Sequence, residues 1–282
     1  MQEIDLLYRD VPRAICCFAD LDEHWLVDPG PEASHRRLLE QLPDDWEPRR
    51  ILLTHIHFDH AGATGRLLER WPRAEVWVHE RGARHLVDPE RLVASVRRIY
   101  GDAFDELWGA VVPIPADRVR ALSGGETLDG WRVAHTPGHA SHHVSYFHES
   151  TGAAMTGDVA GVRIGTGPAL PPSPPPDIDR ELWLASLRTL REWAPSALCV
   201  THFGRWTDVD AQLREVAEGL EHWSELARST DNAAFADAVR RHIATRTDDP
   251  ATRASYEQSN PATTLWSGWA RYWRLREDQS AA

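Results

Sequence analysis

Four metal-ligating side chains fall within six residues of this chain: His55, His57, Asp59 and His60 in Thr54-His55-Ile56-His57-Phe58-Asp59-His60-Ala61-Gly62. Neutral imidazoles and carboxylates are the usual ligands of zinc and related divalent ions. The cluster directly follows the apolar run Ile51-Leu52-Leu53, so a strand end would present it at the rim of a sheet. His55 and His57 are two apart and share a face in extended geometry. A loop that then curls turns Asp59 and His60 toward a neighbouring point. Further ligand types follow in separate contexts: His139 in His135-Thr136-Pro137-Gly138-His139, Asp158 in Thr156-Gly157-Asp158, and His202 in Thr201-His202-Phe203-Gly204. Seven groups suffice for two ions. Ions about 3.5–4 Å apart need a shared ligand, and Asp158, behind a glycine at a predicted strand end, suits that role.

The elements that must position these groups alternate. Ala14-Ile15-Cys16-Cys17-Phe18 and His24-Trp25-Leu26-Val27-Asp28 predict an early hairpin. Ser34 to Leu42 has helical spacing at Leu38, Leu39 and Leu42. Residues 50–54 then predict a strand, 63–71 a helix and 74–78 a strand, which implies α/β layers. Residues 80–108 read as helical, with Leu92, Val96 and Ile99 on one face, as an insertion between strands. Residues 118–122, 131–136, 144–147 and 153–156 predict a second set of strands, punctuated by glycines. Pro171-Pro172-Ser173-Pro174-Pro175-Pro176 predicts a stiff connector. Beyond His202 the pattern is helical. Thr207 is the expected cap, with Asp210 as capping-box partner, ahead of an apolar stripe at Leu213, Val216, Leu220 and Trp223. Asn260-Pro261 is the expected start of the last helix, where Trp266, Trp269 and Trp273 recur on a face that should pack on the core or a partner subunit.

Composition bounds the function. With 42% hydrophobic and 26% charged residues, the 282-residue chain reads as an ordinary globular protein. Its formal net charge of -12 argues against nucleic acid as a partner. Cys16, Cys17 and Cys199 lie in apolar runs and are expected to be buried free thiols. No apolar run reaches membrane-span length, and Met1-Gln2-Glu3-Ile4-Asp5 lacks the basic and apolar regions of a secretory signal. The expected compartment is the cytoplasm, with no membrane partner.

His-x-His-x-Asp-His, then His139, Asp158 and His202 in that order, resembles the metallo-β-lactamase superfamily. Leu26-Val27-Asp28-Pro29-Gly30 and Thr136-Pro137-Gly138-His139 resemble that family's surrounding motifs, and the resemblance covers about residues 14 to 204. It implies an α/β fold, a four-layer αββα sandwich with the metals at one edge. It implies a catalytic domain over about residues 1–210, with a helical insertion at about 80–115, and a C-terminal helical extension over 211–282. Carried over, one ion is held by His55, His57 and His139, the other by Asp59, His60 and His202, and Asp158 bridges them. Asp28 is expected to orient a ligand from behind, and His143 resembles a supporting histidine. Tyr100, Phe104 and Trp108 are candidates to line the substrate pocket.

The implied activity is hydrolysis of a thioester, ester or lactone by a hydroxide bridging two divalent ions. Zinc is the first expectation, with iron or manganese possible, and Asp59 would orient the nucleophile. The family's true β-lactamases lack the bridging aspartate; glyoxalase II, lactonases and phosphodiesterases have it. The basic residues that bind glutathione in glyoxalase II have no counterpart in this sequence. A phosphodiesterase and a mono-iron dioxygenase of the persulfide dioxygenase type are the alternatives. The partner is expected to be a small-molecule substrate, with a homodimer through the Trp-rich last helix also expected.

Overall fold

Strict alternation of side chains makes three hydrophobic layers out of two sheets. In the computed structural model, which describes residues 1–281, the first sheet comprises β1 (Gln2–Asp5), β2 (Cys16–Asp20), β3 (Trp25–Val27), β4 (Arg50–Leu52), β5 (Glu75–His79) and β6 (Val119–Leu122), in that spatial order. The β1–β2 and β2–β3 pairs are antiparallel, and the β3–β4, β4–β5 and β5–β6 pairs are parallel. The second sheet runs β12 (Gly204–Trp206), β11 (Ala197–Val200), β10 (Ala153–Met155), β9 (Val144–His148), β8 (Trp131–His135) and β7 (Thr127–Leu128).

Phe18, Trp25, Val27, Leu52 and Trp77 of the first sheet face Trp131, Val133, Tyr146, Met155 and Cys199 of the second. The residues between them point the other way, because successive side chains leave a strand on opposite faces. Cys17, Ala19, Leu26, Ile51, Val76 and Val78 thus meet Leu38, Leu67, Leu68 and Trp71 from the helical side. On the far face of the second sheet, Phe147, Ala154, Leu198 and Val200 meet Trp183, Leu187, Leu213, Leu220 and Trp269. The result is the αββα sandwich. Strands buried on both faces read as unbroken apolar runs, which is why Ala14 to Phe18 and Ile51 to Leu53 carry no alternation of polarity.

Four placements differ from the sequence reading. Val119–Leu122 belongs to the first sheet, paired parallel with β5, not to the second set of strands. A parallel pair needs a crossover of a dozen or more residues. The helices Glu80–Val87, Glu90–Tyr100 and Phe104–Trp108 form that crossover. Strand β12 intervenes before the C-terminal helices, and the cap of helix Val209–Ser229 is Asp208, whose side chain accepts from Ala211 N–H, rather than Thr207. An aspartate binds that amide and also favours the positive end of the helix dipole. Strand β1 completes the sheet edge with the short sequence Gln-Glu-Ile-Asp, too polar to show as a strand signal.

The last helix, Ala262–Ala281, packs Trp269 into the outer core, with Trp266 and Trp273 partly buried against it. The three cysteines are free and buried. Among the described residues, no helix is long and apolar enough to cross a membrane.

Trp25 is fully buried between the sheets and stacks edge-on against Trp131 at 5.1 Å. Trp25→Ala is expected to cost about 3–5 kcal/mol, since the rigid sheets cannot collapse into the void. Urea unfolding followed by fluorescence measures it, and an unchanged midpoint would contradict this packing.

Candidate metal centre

Each ligand sits where a strand of the sandwich stops. Thr54-His55 follows β4, and a short helix, Phe58–Ala61, turns Asp59 and His60 back toward His55. His139 follows β8, Asp158 follows β10, and His202 follows β11. Two glycines make the approach possible. At Gly157 (φ 46°) a Cβ would lie 2.3 Å from Thr54 Oγ1 and 2.9 Å from His143 Nε2. At Gly138 (φ 132°) it would lie 2.3 Å from the Cα of Trp183. Any side chain there would push the neighbouring ligand outward.

The seven side chains come together. His55 Nε2 and His57 Nδ1 are 2.9 Å apart, and His139 Nε2 is 3.2 and 3.1 Å from them. Ligands at about 2.0–2.1 Å from one tetrahedral ion stand roughly 3.3 Å from each other. Asp59 Oδ2 is 3.7 Å from His60 Nε2 and 3.4 Å from His202 Nε2. Asp158 lies between the two groups. Its Oδ1 is 3.2 Å from His60 Nε2 and 3.5 Å from His202 Nε2, and its Oδ2 is 3.3 Å from His139 Nε2. His60 Nε2 and Asp158 Oδ1 are buried and face each other at 3.2 Å without a well-aligned hydrogen bond. Unpartnered buried acceptors and convergent nitrogens fit divalent cations, which supply the missing partner.

The outer face of each ring is fixed. His139 Nδ1 is 2.8 Å from Pro172 O, and His202 Nδ1 is 2.6 Å from Ala14 O. His60 Nδ1 is 2.8 Å from Asp28 Oδ2. Each of these bonds puts the proton on Nδ1 and leaves the Nε2 lone pair facing inward. Asp28 also accepts from Thr54 N–H at 2.8 Å, from the Thr54 hydroxyl at 2.6 Å and from the Thr201 hydroxyl at 2.8 Å. Having donated to Asp28, Thr54 Oγ1 can accept from His55 Nδ1 at 3.2 Å. His143 stacks on His55 with ring centroids 5.1 Å apart and meets Thr136 Oγ1 at 2.9 Å.

Electrostatics divide the site. Burial, then the neighbouring imidazoles, push His55 far below its ordinary range. Burial and His139 push His57 down to about 4. His139 is lowered as well, by burial foremost. Burial also opposes charge on His60, but Asp158, Asp59 and Asp28 outweigh it and hold that imidazole well above its ordinary range. His202 is likewise raised, with Asp158 and Asp59 overcoming burial. Burial would raise Asp59, yet His60 and His202 bring it down to about 2. One half of the cluster therefore offers neutral lone pairs. The other holds a mutually neutralising set of carboxylates and imidazoles.

The cluster opens on a cavity of about 370 Å³, walled by the crossover and the C-terminal helices. Tyr100 and Trp108 line it, as do Leu92, Val96 and Ile99. Phe104 does not. It is 1% exposed and packs edge-on against Phe58, under the guanidinium of Arg97. Its apolar ring supports the crossover from below because helix Phe104–Trp108 turns it to the core side. His79 and His135 stack on each other at 4.3 Å, outside the ligand groups. Sequence reasoning missed Thr54 and Thr201, each directly before a ligand, although that repeated Thr-His pair was a signal. It also missed the carbonyls of Ala14 and Pro172, for which no sequence signal exists.

Residues 20–202 match the model of the metallo-beta-lactamase superfamily. A similar curated protein is the metallo-beta-lactamase fold-containing protein ST1585 of Sulfurisphaera tokodaii, 32% identical over 161 residues. That match spans 55% of this chain and 60% of the relative's length. The crystal structure of ST1585 superposes with a TM-score of 0.67 at 22% identity, over 95% of this chain and 97% of that one. Hydroxyacylglutathione hydrolase of Erwinia tasmaniensis is 32% identical over 126 residues, 43% of this chain and 37% of the enzyme. The fold, with the ligand-bearing motifs inside the matched span, makes this chain a member of the metallo-β-lactamase superfamily.

Proposed function

We propose that this chain is a hydrolase of ester, thioester or lactone bonds that works with two divalent ions, zinc foremost. The observation that carries the reading is the division of Asp158, whose Oδ1 faces His60 and His202 while its Oδ2 faces His139. A carboxylate so divided can serve both groups at once. In this reading His55, His57 and His139 hold one ion, Asp59, His60 and His202 hold the other, and Asp158 is shared.

When bound, such ions supply a water of near-neutral pKa and polarise the oxygen of the scissile bond. The chain does the rest. Asp59, held ionised, is a pure acceptor and orients the attacking water through a hydrogen bond. Asp28, Pro172 and Ala14 lock the imidazole protons outward, so the inward nitrogens do not turn away during the reaction. Leu92, Val96 and Ile99 give the cavity an apolar wall against which a hydrocarbon part of the substrate would lie. No protein nucleophile is required, and burial raises the thiols of Cys16, Cys17 and Cys199 out of the reactive range.

The match to hydroxyacylglutathione hydrolase supports a thioester as one bond type. The lining does not support the glutathione part. Its one arginine, Arg9, is engaged by Glu106 at 2.5 Å. A phosphodiester would meet the same lack of free cations.

The test is hydrolysis by the metal-loaded protein of an aryl ester, a thioester, a lactone and an aryl phosphodiester. One of the first three is expected to turn over, and Asp158→Ala should lower its kcat by about a hundredfold or more. Equal turnover in the variant would sink the two-ion reading. Asp28→Asn should weaken metal affinity by about 10–100-fold in chelator competition, because His60 loses its orienting acceptor; equal affinity contradicts the role given to Asp28. His60 and His202, raised above their ordinary range by Asp158 and Asp59, hold a second proton more tightly than a free imidazole does when no metal is bound. Metal must displace those protons, so affinity should rise from pH 6 to pH 8. Calorimetry in two buffers of different ionisation enthalpy measures the release, and a flat profile would contradict it.

A further inference from the structure

The loops that carry Asp158 and His202 are gripped from behind by one side chain of the C-terminal helices. Gln212 lies in the first turn of helix Val209–Ser229 and has no exposure to solvent. Its amide nitrogen donates to Ala160 O at 2.8 Å, two residues after Asp158. Its amide oxygen accepts from the Arg163 guanidinium at 3.3 Å. Arg163 in turn pairs through its main chain with the His202 loop. Its N–H donates to His202 O at 2.6 Å, and its carbonyl accepts from Phe203 N–H at 3.1 Å. One carboxamide therefore reaches the chain beside Asp158 directly, and the chain beside His202 through Arg163. A buried carboxamide is tolerated when both its ends are hydrogen-bonded, and here both partners belong to the segment that links the two ligands.

That segment has little freedom of its own. Asp158 O accepts from Gly161 N–H at 2.9 Å, which closes a tight turn between the ligand and Ala160. Gly161 (φ 84°) lies so near the helix that a Cβ would be 2.6 Å from Val216 Cγ2. Val216 is four residues from Gln212 and so on the same helix face. The Arg163 guanidinium lies 4.8 Å over the ring of Trp206 in β12 and 3.7 Å from Glu215. Glu215 is fixed by Ala169 N–H at 3.0 Å and by Arg246 at 3.1 Å. Movement at Gln212 would thus pass to Asp158 and His202, whose Oδ1 and Nε2 stand 3.5 Å apart. The bonds of Gln212 and Arg163 reach none of His55, His57 and His139, and His139 is fixed instead by Pro172.

We propose that Gln212 and Arg163 are positioning residues. They clamp the Asp158 and His202 loops at the separation an ion between them needs, so the C-terminal helices control occupancy of that half of the cluster. The proposal rests on the two-ion reading for the existence of the other half.

Chelator competition on the full chain loaded with zinc gives the affinity of each ion, and the readout is their ratio. Gln212→Leu removes both bonds of the clamp. It should weaken the ion at Asp59, His60 and His202 by about 10–100-fold, and the ion at His55, His57 and His139 by about threefold at most. Crystals of that variant with substoichiometric zinc should show the anomalous peak on His55, His57 and His139. Arg163→Met should shift the ratio in the same direction, and it alone carries the test where Gln212→Leu fails to fold. Arg163→Lys, which restores a donor toward Gln212, should recover part of the loss. Leu220→Ala is the control for a merely structural role. It opens the outer core about two turns along the same helix, so it should lower the urea midpoint and leave the ratio unmoved. An unmoved ratio in the clamp variants, or an equal shift in Leu220→Ala, overturns the proposal. A wild-type chain that takes a single ion would defeat the two-ion reading. The clamp then stands if Gln212→Leu weakens that ion about tenfold more than Leu220→Ala does, and falls if it does not.

Discussion

The carboxylate of Asp28 is the point on which the site depends. It has no exposure to solvent, and a buried charge is tolerated only when hydrogen bonds replace its hydration. Four do so, and they come from three parts of the chain: Thr54 at the end of β4, His60 in the turn that follows, and Thr201 at the end of β11. Two of these belong to the first sheet and its loop, and one to the second sheet. A single anion thus ties the two sheets together at the edge where the ligands emerge. Breaking any one of the bonds leaves a buried polar group unpaired, so the ligand loops are held in one arrangement.

From that anchor the rest follows by strand geometry. Parallel strands β3, β4 and β5 end on the same side of the first sheet, and β10 and β11 end on the same side of the second. Ligands placed just after strand ends must then meet at one rim. The tight glycines before His139 and Asp158 let those two come close enough to complete the cluster. The imidazoles of His55, His57 and His139 and those of His60 and His202 are one residue type in different surroundings. Burial lowers every one of these imidazoles, and only at His60 and His202 do the carboxylates outweigh it.

The clustering of His55, His57, Asp59 and His60 was legible in the sequence because short spacing on a strand-end loop brings them together. The sandwich was legible from doubly buried strands such as Ala14 to Phe18. What was not legible depended on distant partners. Val119–Leu122 gives no local sign of which sheet it joins, since that is decided by pairing with β5 across the helical crossover. Phe104 and Trp108 lie on one short helix and both pack against Phe58, and only their burial in the folded chain separates the core residue from the wall residue. Asn260 read as a helix cap. Its place in the cavity wall comes from the docking of the last two helices against the outer core.

The account stands on two ions sharing Asp158. Crystals of the metal-loaded protein, measured with anomalous scattering at the absorption edge of the bound metal, test this directly. Two peaks about 3.5–4 Å apart are predicted, one against His55, His57 and His139 and one against Asp59, His60 and His202, with Asp158 between them. A single peak at full occupancy, or a metal bound away from Asp158, would contradict it.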